Sequence, residues 1–507
     1  MDGDSEQGRG FDDLSADTGV WRYAKASRAS VIVDAADYFD LMQQAMLAAR
    51  RRVLLIGWDF DTRIHLAHGR RWYGKRGKGR YPRRLGSFIL WLVRHRRKLE
   101  VRILKWSYGV LTWPFRGSMV MDLLRWFPNR RIDFKFDTHH PVGCSHHQKI
   151  AVLDDRVGVC GGIDMTTGRW DTREHCEGDK RRSKPRGGYY GPWHDATMMV
   201  EGEVAGALAA LGDDRWAHAG GTPLGPVEGG AQDIWPAELA AQFENVEIGI
   251  ARTRAEYCGR RAVTEIEELY LAHIARARHF IYAESQYFAS RRVAEAIALR
   301  VAEPDPPEIL LVNPAHAEGW LEQEAMDTAR ARLSRSIGLK DHKKRFNIVV
   351  PFSGEEPIYV HAKLMIVDDK ILRIGSSNLN NRSMRLDSEC DLFIDCARPG
   401  NEGACDAIAG LRHSLLAEHL GLRAEEIGPL LAQHGSMIEL VKHCSGGRRQ
   451  LRRLDLPELT AIEADMADNA LLDPEHPEEF FEPIAKRRGL FRKGGILRRP
   501  KRAGADG

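Results

Sequence analysis

Histidine and lysine recur in one arrangement twice along this chain. Residues 146–164 read HHQKIAVLDDRVGVCGGID, and residues 361–378 read HAKLMIVDDKILRIGSSN. In both, His-x-Lys is followed by four residues, an Asp, six more residues and a Gly-Gly or Gly-Ser pair, with an acid or amide two positions later. The matched pairs are His147 and His361, Lys149 and Lys363, Asp154 and Asp368, Gly161 and Gly375, Gly162 and Ser376, Asp164 and Asn378, each 214 residues apart (361 minus 147). A single His-x-Lys carries little information, because both residues are common. Two gap-free copies of a six-point pattern mark an internal duplication. The apolar runs after each Lys read as a buried strand, the Asp-Asp as a turn, and the next apolar run as a second strand. A spacing of two puts His and Lys on the same face of a strand. Two such faces meeting across a duplication axis would gather two His and two Lys around one cleft. Lys donors suit a phosphate. A His on either side of the phosphorus could attack and could protonate the leaving oxygen.

An attacking imidazole offers one nitrogen to phosphorus while the other donates a hydrogen bond, usually to a carboxylate. GPWHDATMMV at 191–200 and DSECDLFI at 387–394 look like counterpart strands, and aligning them sets Asp195 opposite Glu389. These two acids are expected to orient the histidines, with the pairing of acid to histidine left open. Asp154 and Asp368 fall at the strand turns, beyond four apolar residues, and read as structural. His194 reads as structural rather than as a third base. The segment THHPVGCSHH at 138–147 invites a metal reading, but no second cluster with ligand spacing accompanies it. His139, His140 and Cys144 therefore read as loop residues.

The duplicated phrase resembles the signature of the phospholipase D superfamily, and the resemblance spans roughly residues 30–440. GGIDMTTGRWDT (161–172) and GPWHD (191–195) are similar to the first half of eukaryotic-type phospholipases D; ESQYF (284–288) and GSSNLNNRSMRLDSE (375–389) are similar to the second. The resemblance implies an α/β protein with two duplicated lobes of mixed sheets and one shared active site. It implies a phosphodiesterase that cleaves the headgroup phosphodiester of a phospholipid through a phosphohistidine, then passes the phosphatidyl group to water or another alcohol. His147 would attack, His361 would protonate the headgroup oxygen, and Lys149, Lys363, Asn378 and Ser376 would hold the phosphate. No metal or other cofactor is implied, the lysines doing the electrostatic work. The first copy departs, with Gly162 and Asp164 in the places of Ser376 and Asn378, which is also the eukaryotic-type variant. Within the same superfamily stand two alternatives: a phosphatidyltransferase such as cardiolipin synthase, and a nucleic-acid phosphodiesterase, against which the GRWDT and PWHD elements count.

The elements that must carry these residues alternate between helical and strand periodicity in both halves, which argues an α/β sandwich with mixed sheets. The expected organisation is a disordered lead over 1–30, an N-terminal half over 31–225, a C-terminal half over 240–445 and a tail over 446–507. A Pro-, Gly- and Ala-rich linker is expected at 220–236, and two amphipathic helices at 404–420 and 424–441. The 507 residues are 43% hydrophobic and 29% charged, an ordinary globular balance. No uncharged apolar run, that at residues 87–93 included, approaches the length of a spanning helix. Without a signal-peptide pattern the eight scattered cysteines read as free thiols, and the chain as a cytoplasmic, peripherally membrane-associated monomer. The net charge of +4 hides segregation. Residues 69–98 hold twelve Lys or Arg and no acid, with Trp72, Tyr73, Tyr81, Phe88 and Trp91 between them; 455–482 hold ten acids; 486–502 hold nine basic residues. These runs fit a solvated face, an anionic membrane surface or nucleic acid. Phospholipid is the expected substrate and an anionic membrane the expected partner, with no obligatory nucleic acid.

Overall fold

The computed structural model describes residues 18–70, 81–106, 118–185, 187–227, 232–317 and 320–455. The first set of elements is β1 (Arg22–Val33), α1 (Ala35–Ala48), β2 (Arg52–Gly57), α2 (Leu85–His95), β3 (Glu100–Trp106), α3 (Ser118–Trp126), β4 (Ile132–Asp137), β5 (Ile150–Leu153), β6 (Val157–Gly161), β7 (Trp193–His194), β8 (Ala196–Gly202) and α4 (Glu203–His218). The second set is β9 (Phe243–Arg254), β10 (Val263–Thr264), α5 (Glu265–Arg276), β11 (Phe280–Glu284), α6 (Arg291–Val301), β12 (Glu308–Val312), α7 (Trp320–Gly338), β13 (Phe346–Ser353), β14 (Glu356–Pro357), β15 (Tyr359–Val360), β16 (Leu364–Val367), β17 (Ile371–Gly375), β18 (Glu389–Asp395) and α9 (Ala404–Leu420), with the short α8 (Asn381–Arg385) between β17 and β18. Helices α10 (Ala424–His434) and α11 (Met437–His443) and strand β19 (Arg449–Arg453) complete the order.

Strand pairing runs β4-β3-β2-β5-β6-β8-β1 in the first half and β13-β12-β11-β16-β17-β18-β9 in the second. The two series have the same order of parallel and antiparallel neighbours, and they join where β1 pairs antiparallel with β9. This is the mixed α/β arrangement expected. Both faces of each half are covered, as the β2 sequence shows. Val53 and Leu55 pack with α1, α2 and α3, while Leu54 and Ile56 point the other way, into a core shared with Tyr282, Leu310, Leu364 and Ile366 of the second half. A strand buried on both faces reads as a continuous apolar run, which is what RVLLIG is.

The Asp-Asp turns are built alike. Asp154 and Asp155, like Asp368 and Asp369, have φ between 50° and 53°, the positive-φ pair that a type I′ hairpin turn requires. The Asp154 carboxylate accepts the backbone N–H groups of Arg50, Arg51 and Arg52, each at 2.7 Å. Asp368 accepts those of Arg278, His279 and Phe280 at 2.7–2.8 Å. Each therefore ties its hairpin to the loop before β2 or β11.

Several sequence expectations change. Residues 22–30 do not belong to a disordered lead; they form most of β1, whose apolar residues are buried between β8 and β9. The tail begins later than residue 446, because β19 adds to the edge of β13. The helix expected over 424–441 breaks at Gly435, whose φ of 66° ends α10. In the basic segment Phe88 is fully buried and Tyr81 and Trp91 pack against the core, so these rings are not interleaved with surface cations. Residues 71–80 of that segment, the acidic run from 456 onward and the basic run over 486–502 lie outside the described residues. Among the described residues, no helix is long and apolar enough to cross a membrane.

Candidate active site

His147 and Lys149 lie in the extended segment just before β5, and His361 and Lys363 in the equivalent segment before β16. They are not on the strand ladders themselves, because each segment turns to pair with the opposite half. The His147 N–H donates to the Ser388 carbonyl at 2.9 Å, and the His361 N–H to the His194 carbonyl at 2.7 Å. Beside the latter, β15 pairs in parallel with β7. The two His-x-Lys segments are therefore held by each other's halves.

The same exchange governs the acids. His147 Nδ1 lies 3.0 and 3.1 Å from the Glu389 carboxylate oxygens, and His361 Nδ1 lies 2.7 Å from Asp195 Oδ2. Each histidine of one half is thus backed by the acid of the other. With Nδ1 committed to a carboxylate, Nε2 is the nitrogen left to face a reacting atom. Burial, reinforced by Lys149 and Lys363, holds the His147 imidazole well below its ordinary pKa. Burial together with Lys363 and Arg169 does the same to His361. In both cases the shift favours the neutral imidazole, the state a nucleophile needs.

The acids differ in character. Burial pushes the Glu389 carboxyl well above its usual range, against Lys149 and the Ser376 and Ser383 hydroxyls that favour the anion. Burial lifts Asp195 to about 6, opposed by Lys363 and by the Ala196 N–H, which donates to Oδ1 at 2.8 Å. Burial also brings the Lys363 ammonium down to about 7, against the pull of Asp195. Lys149 lies 3.5 Å from Asp164, and its ammonium donates to the His147 carbonyl at 2.7 Å. Lys363 lies 3.4 Å from Gln286 Oε1, an acceptor that Asn378 Nδ2 shares at 3.4 Å. Asn378 Oδ1 is buried and makes no hydrogen bond.

Ser376 departs from expectation. Its hydroxyl donates to Glu389 at 2.5 Å and accepts from the Cys390 N–H, so it stands behind His147 rather than among phosphate donors. At the matching position Gly162 leaves room for Asp195, since a Cβ there would sit 2.0 Å from Asp195 Oδ1. The departure of the first copy is thus steric: one orienting acid is supported by a hydroxyl, the other by a gap.

Other residues enter that motif spacing did not single out. Arg169 stacks over Trp193 at 4.2 Å, and Trp193 lies 5.3 Å from the His361 ring. Trp58 lies 6.4 Å from the His147 ring. An open cavity is lined by Arg63, Arg169, Lys184, Tyr190, Tyr359 and the same Trp193 ring. Arg169 and Gln286 fall inside the GRWDT and ESQYF stretches, so their signal was present without a role attached. His194 is fully buried and turns away, to Glu284 at 2.8 Å. His140 Nδ1 meets the Pro141 carbonyl at 2.8 Å, and His146 bridges Ser388 Oγ and Asp137. His140 and His146 are thus engaged with separate partners.

The family model described as Phospholipase D matches residues 129–294 and 339–442, together 270 of the 507 residues. Phospholipase D alpha 4 of Arabidopsis thaliana is 24% identical over 76% of this chain and 64% of its own length. Phospholipase D A of Dictyostelium discoideum is 25% identical over 77% of this chain and 35% of its own. The chain therefore spans less than two thirds of either relative. Among solved structures, phosphatidylserine synthase of Haemophilus influenzae Rd KW20 superposes with a TM-score of 0.51 at 12% identity, covering 84% of this chain and 95% of that one, a likeness of fold. With a family model matched in two segments, one around each His-x-Lys copy, this chain belongs to the phospholipase D superfamily.

Proposed function

We propose that this protein cleaves the headgroup phosphodiester of phospholipids by a two-step displacement at phosphorus. The observation that carries the reading is the crossed pair of carboxylate-backed imidazoles, His147 with Glu389 and His361 with Asp195, flanked by two buried lysines. In the first step His147 Nε2 forms a bond to phosphorus while the headgroup C–O oxygen leaves and takes a proton from His361 Nε2. In the second, His361 takes a proton from water or another alcohol, whose oxygen displaces His147 and returns the free imidazole. Burial favours the neutral form of both imidazoles in the empty site, and a phosphodiester anion between the rings favours protonation of the one that acts as acid. Lys149, Lys363 and the Asn378 amide neutralise the charge that builds on the phosphoryl oxygens. Asn378 offers its Nδ2–H groups, and Ser376 keeps Glu389 in place. The basic runs would hold the protein at an anionic membrane surface as a peripheral protein.

The test offers purified protein phosphatidylcholine, phosphatidylethanolamine, phosphatidylglycerol and single-stranded DNA in separate assays and follows which phosphodiester breaks, with a primary alcohol added to trap transfer. Release of free headgroup, with the phosphatidyl alcohol formed in competition with phosphatidic acid, is expected. Cleavage of DNA alone would overturn the lipid reading, and cardiolipin formation from phosphatidylglycerol without headgroup hydrolysis would replace the hydrolase by a transferase.

A further inference from the structure

Behind the strand that carries Asp195 lies a second constellation of titratable groups that the reaction does not use. Four segments far apart in sequence deliver it. Asp34 precedes α1 with a φ of 67°, His175 sits in a loop at φ 43°, His194 belongs to β7, and Glu418 comes from the last turn of α9. Their side chains are 0–1% exposed. His175 Nε2 lies 3.1 Å from Glu418 Oε1 and 3.4 Å from Asp34 Oδ2; His194 Nδ1 lies 2.8 Å from Glu418 Oε1 and 3.3 Å from Asp34 Oδ1.

We propose that these four side chains form a structural zinc site, with His175 Nε2, His194 Nδ1, an Asp34 oxygen and Glu418 Oε1 as ligands. One atom from each lies within 4.8 Å of the others. Tetrahedral zinc at ~2.0–2.1 Å from nitrogen and oxygen ligands holds neighbouring donors about 3.3 Å apart, and the approaches seen span that value. They are poor hydrogen bonds in the main. Only His175 to Glu418 has the alignment of one, while His194 Nδ1 and Asp34 Oδ2 are buried with no hydrogen-bond partner. Such groups aimed at a common point are costly unless something occupies it.

The outer contacts match the same reading. The far nitrogen of each imidazole meets a carboxylate: His175 Nδ1 lies 3.0 Å from Asp171, and His194 Nε2 lies 2.8 Å from Glu284. Carboxylates on the second nitrogen fix the tautomer and raise the basicity of metal-bound imidazoles. Charge points the same way. Asp34, Asp171, Glu284 and Glu418 bring four negative charges into the interior. Arg173 at Glu418 and Arg182 at Asp171 return two positive ones; with the imidazoles neutral, as metal ligands are, the remaining deficit is one that a divalent cation fills. Two imidazole and two carboxylate donors without thiolates favour zinc over calcium or magnesium. Four protein ligands leave no open position, so the metal would position rather than catalyse. The Asp195 N–H donates to Asp34 Oδ1 at 3.0 Å and the Asp34 N–H to the Asp195 carbonyl at 2.7 Å. The metal would thereby fix the strand that backs His361 and clamp α9 of the second half onto the first.

The test measures metal in full-length protein after gel filtration in EDTA. Plasma emission should find about one zinc per chain, and protein grown with cobalt should show the visible absorption of tetrahedral Co²⁺. Glu418→Gln should lower the zinc content at least several-fold, whereas His139→Ala with His140→Ala should leave it unchanged. Should the Gln variant fail to fold, the wild type still decides the matter. Its melting temperature should fall on treatment with a strong zinc chelator and recover with zinc. Folded wild-type protein with less than about a tenth of a zinc per chain and a chelator-insensitive melt would overturn the site, leaving protons on the imidazoles to balance the charge. Zinc lost from the His139/His140 variant and kept by Glu418→Gln would overturn the assignment.

Discussion

Asp195→Asn is the substitution in which the proposed chemistry and the fold make opposite demands. Asp195 Oδ1 is held by the Ala196 N–H at 2.8 Å and Oδ2 by His361 Nδ1 at 2.7 Å. An Asn side chain keeps its carbonyl oxygen on Ala196, which places the amide –NH2 against His361 Nδ1. That nitrogen must then accept, and the ring proton moves to Nε2, the atom that must take a proton from water or the acceptor alcohol in the second step. Mere loss of a charge-assisted hydrogen bond is worth about 1.5–3 kcal/mol, or roughly 10–150-fold in rate. A wrong tautomer costs on the order of 10⁴ where an imidazole is backed by a carboxylate in this way. The expected fall in kcat is therefore above about 10³-fold, measured with a soluble short-chain phospholipid. Stability should move the other way. Burial raises Asp195 from 3.8 to about 6, so its contribution to stability is fully present below the unfolded value and is lost as pH rises through 6. At pH 8 the charge costs roughly 3 kcal/mol, which Asn does not incur, so the melting temperature should hold or rise. Wild-type kcat should decline as pH falls through about 6, and the variant should lack that limb. A variant within about threefold of wild-type turnover would refute the assignment of Asp195 to His361, since even the lost hydrogen bond alone is worth more.

His147→Ala and His361→Ala should each lower turnover by at least about 10²–10⁴-fold, and the double variant should be no slower than the worse single one, since the two act as a unit. Gly162→Ala places a methyl 2.0 Å from Asp195 Oδ1 and should cut kcat on the order of 10²-fold by displacing that carboxylate, a loss absent if the position is merely a turn. Asp154→Ala and Asp368→Ala each strand three backbone donors and should destabilise by about 3–5 kcal/mol in urea melts, with kcat of the surviving folded fraction retained. Deletion after Ile484 should weaken sedimentation with anionic vesicles at low salt and leave cleavage of a soluble short-chain substrate intact; equal sedimentation by both forms would make the basic run a solvated end.

The sequence alone determined those features whose physics is local or repeated. The Asp-Asp turns show in the chain because short polar residues tolerate positive φ and the neighbouring strands are apolar. The two His-x-Lys segments show because duplication wrote them twice, and Asp195 and Glu389 are legible because their strands are duplicated too. Three things were decided only in the tertiary structure. The acids cross over, Glu389 to His147 and Asp195 to His361, because each His-x-Lys segment pairs with the opposite half, a contact made across 242 or 166 residues. Ser376 turns to Glu389 instead of the cleft, since a hydroxyl fits there and nothing in its spacing says which way it points. The Asp34, His175, His194 and Glu418 cluster has no spacing at all. Its ligands come from a strand end, a loop, a second strand and a helix, and only the packing of α9 against the first half gives them a common centre.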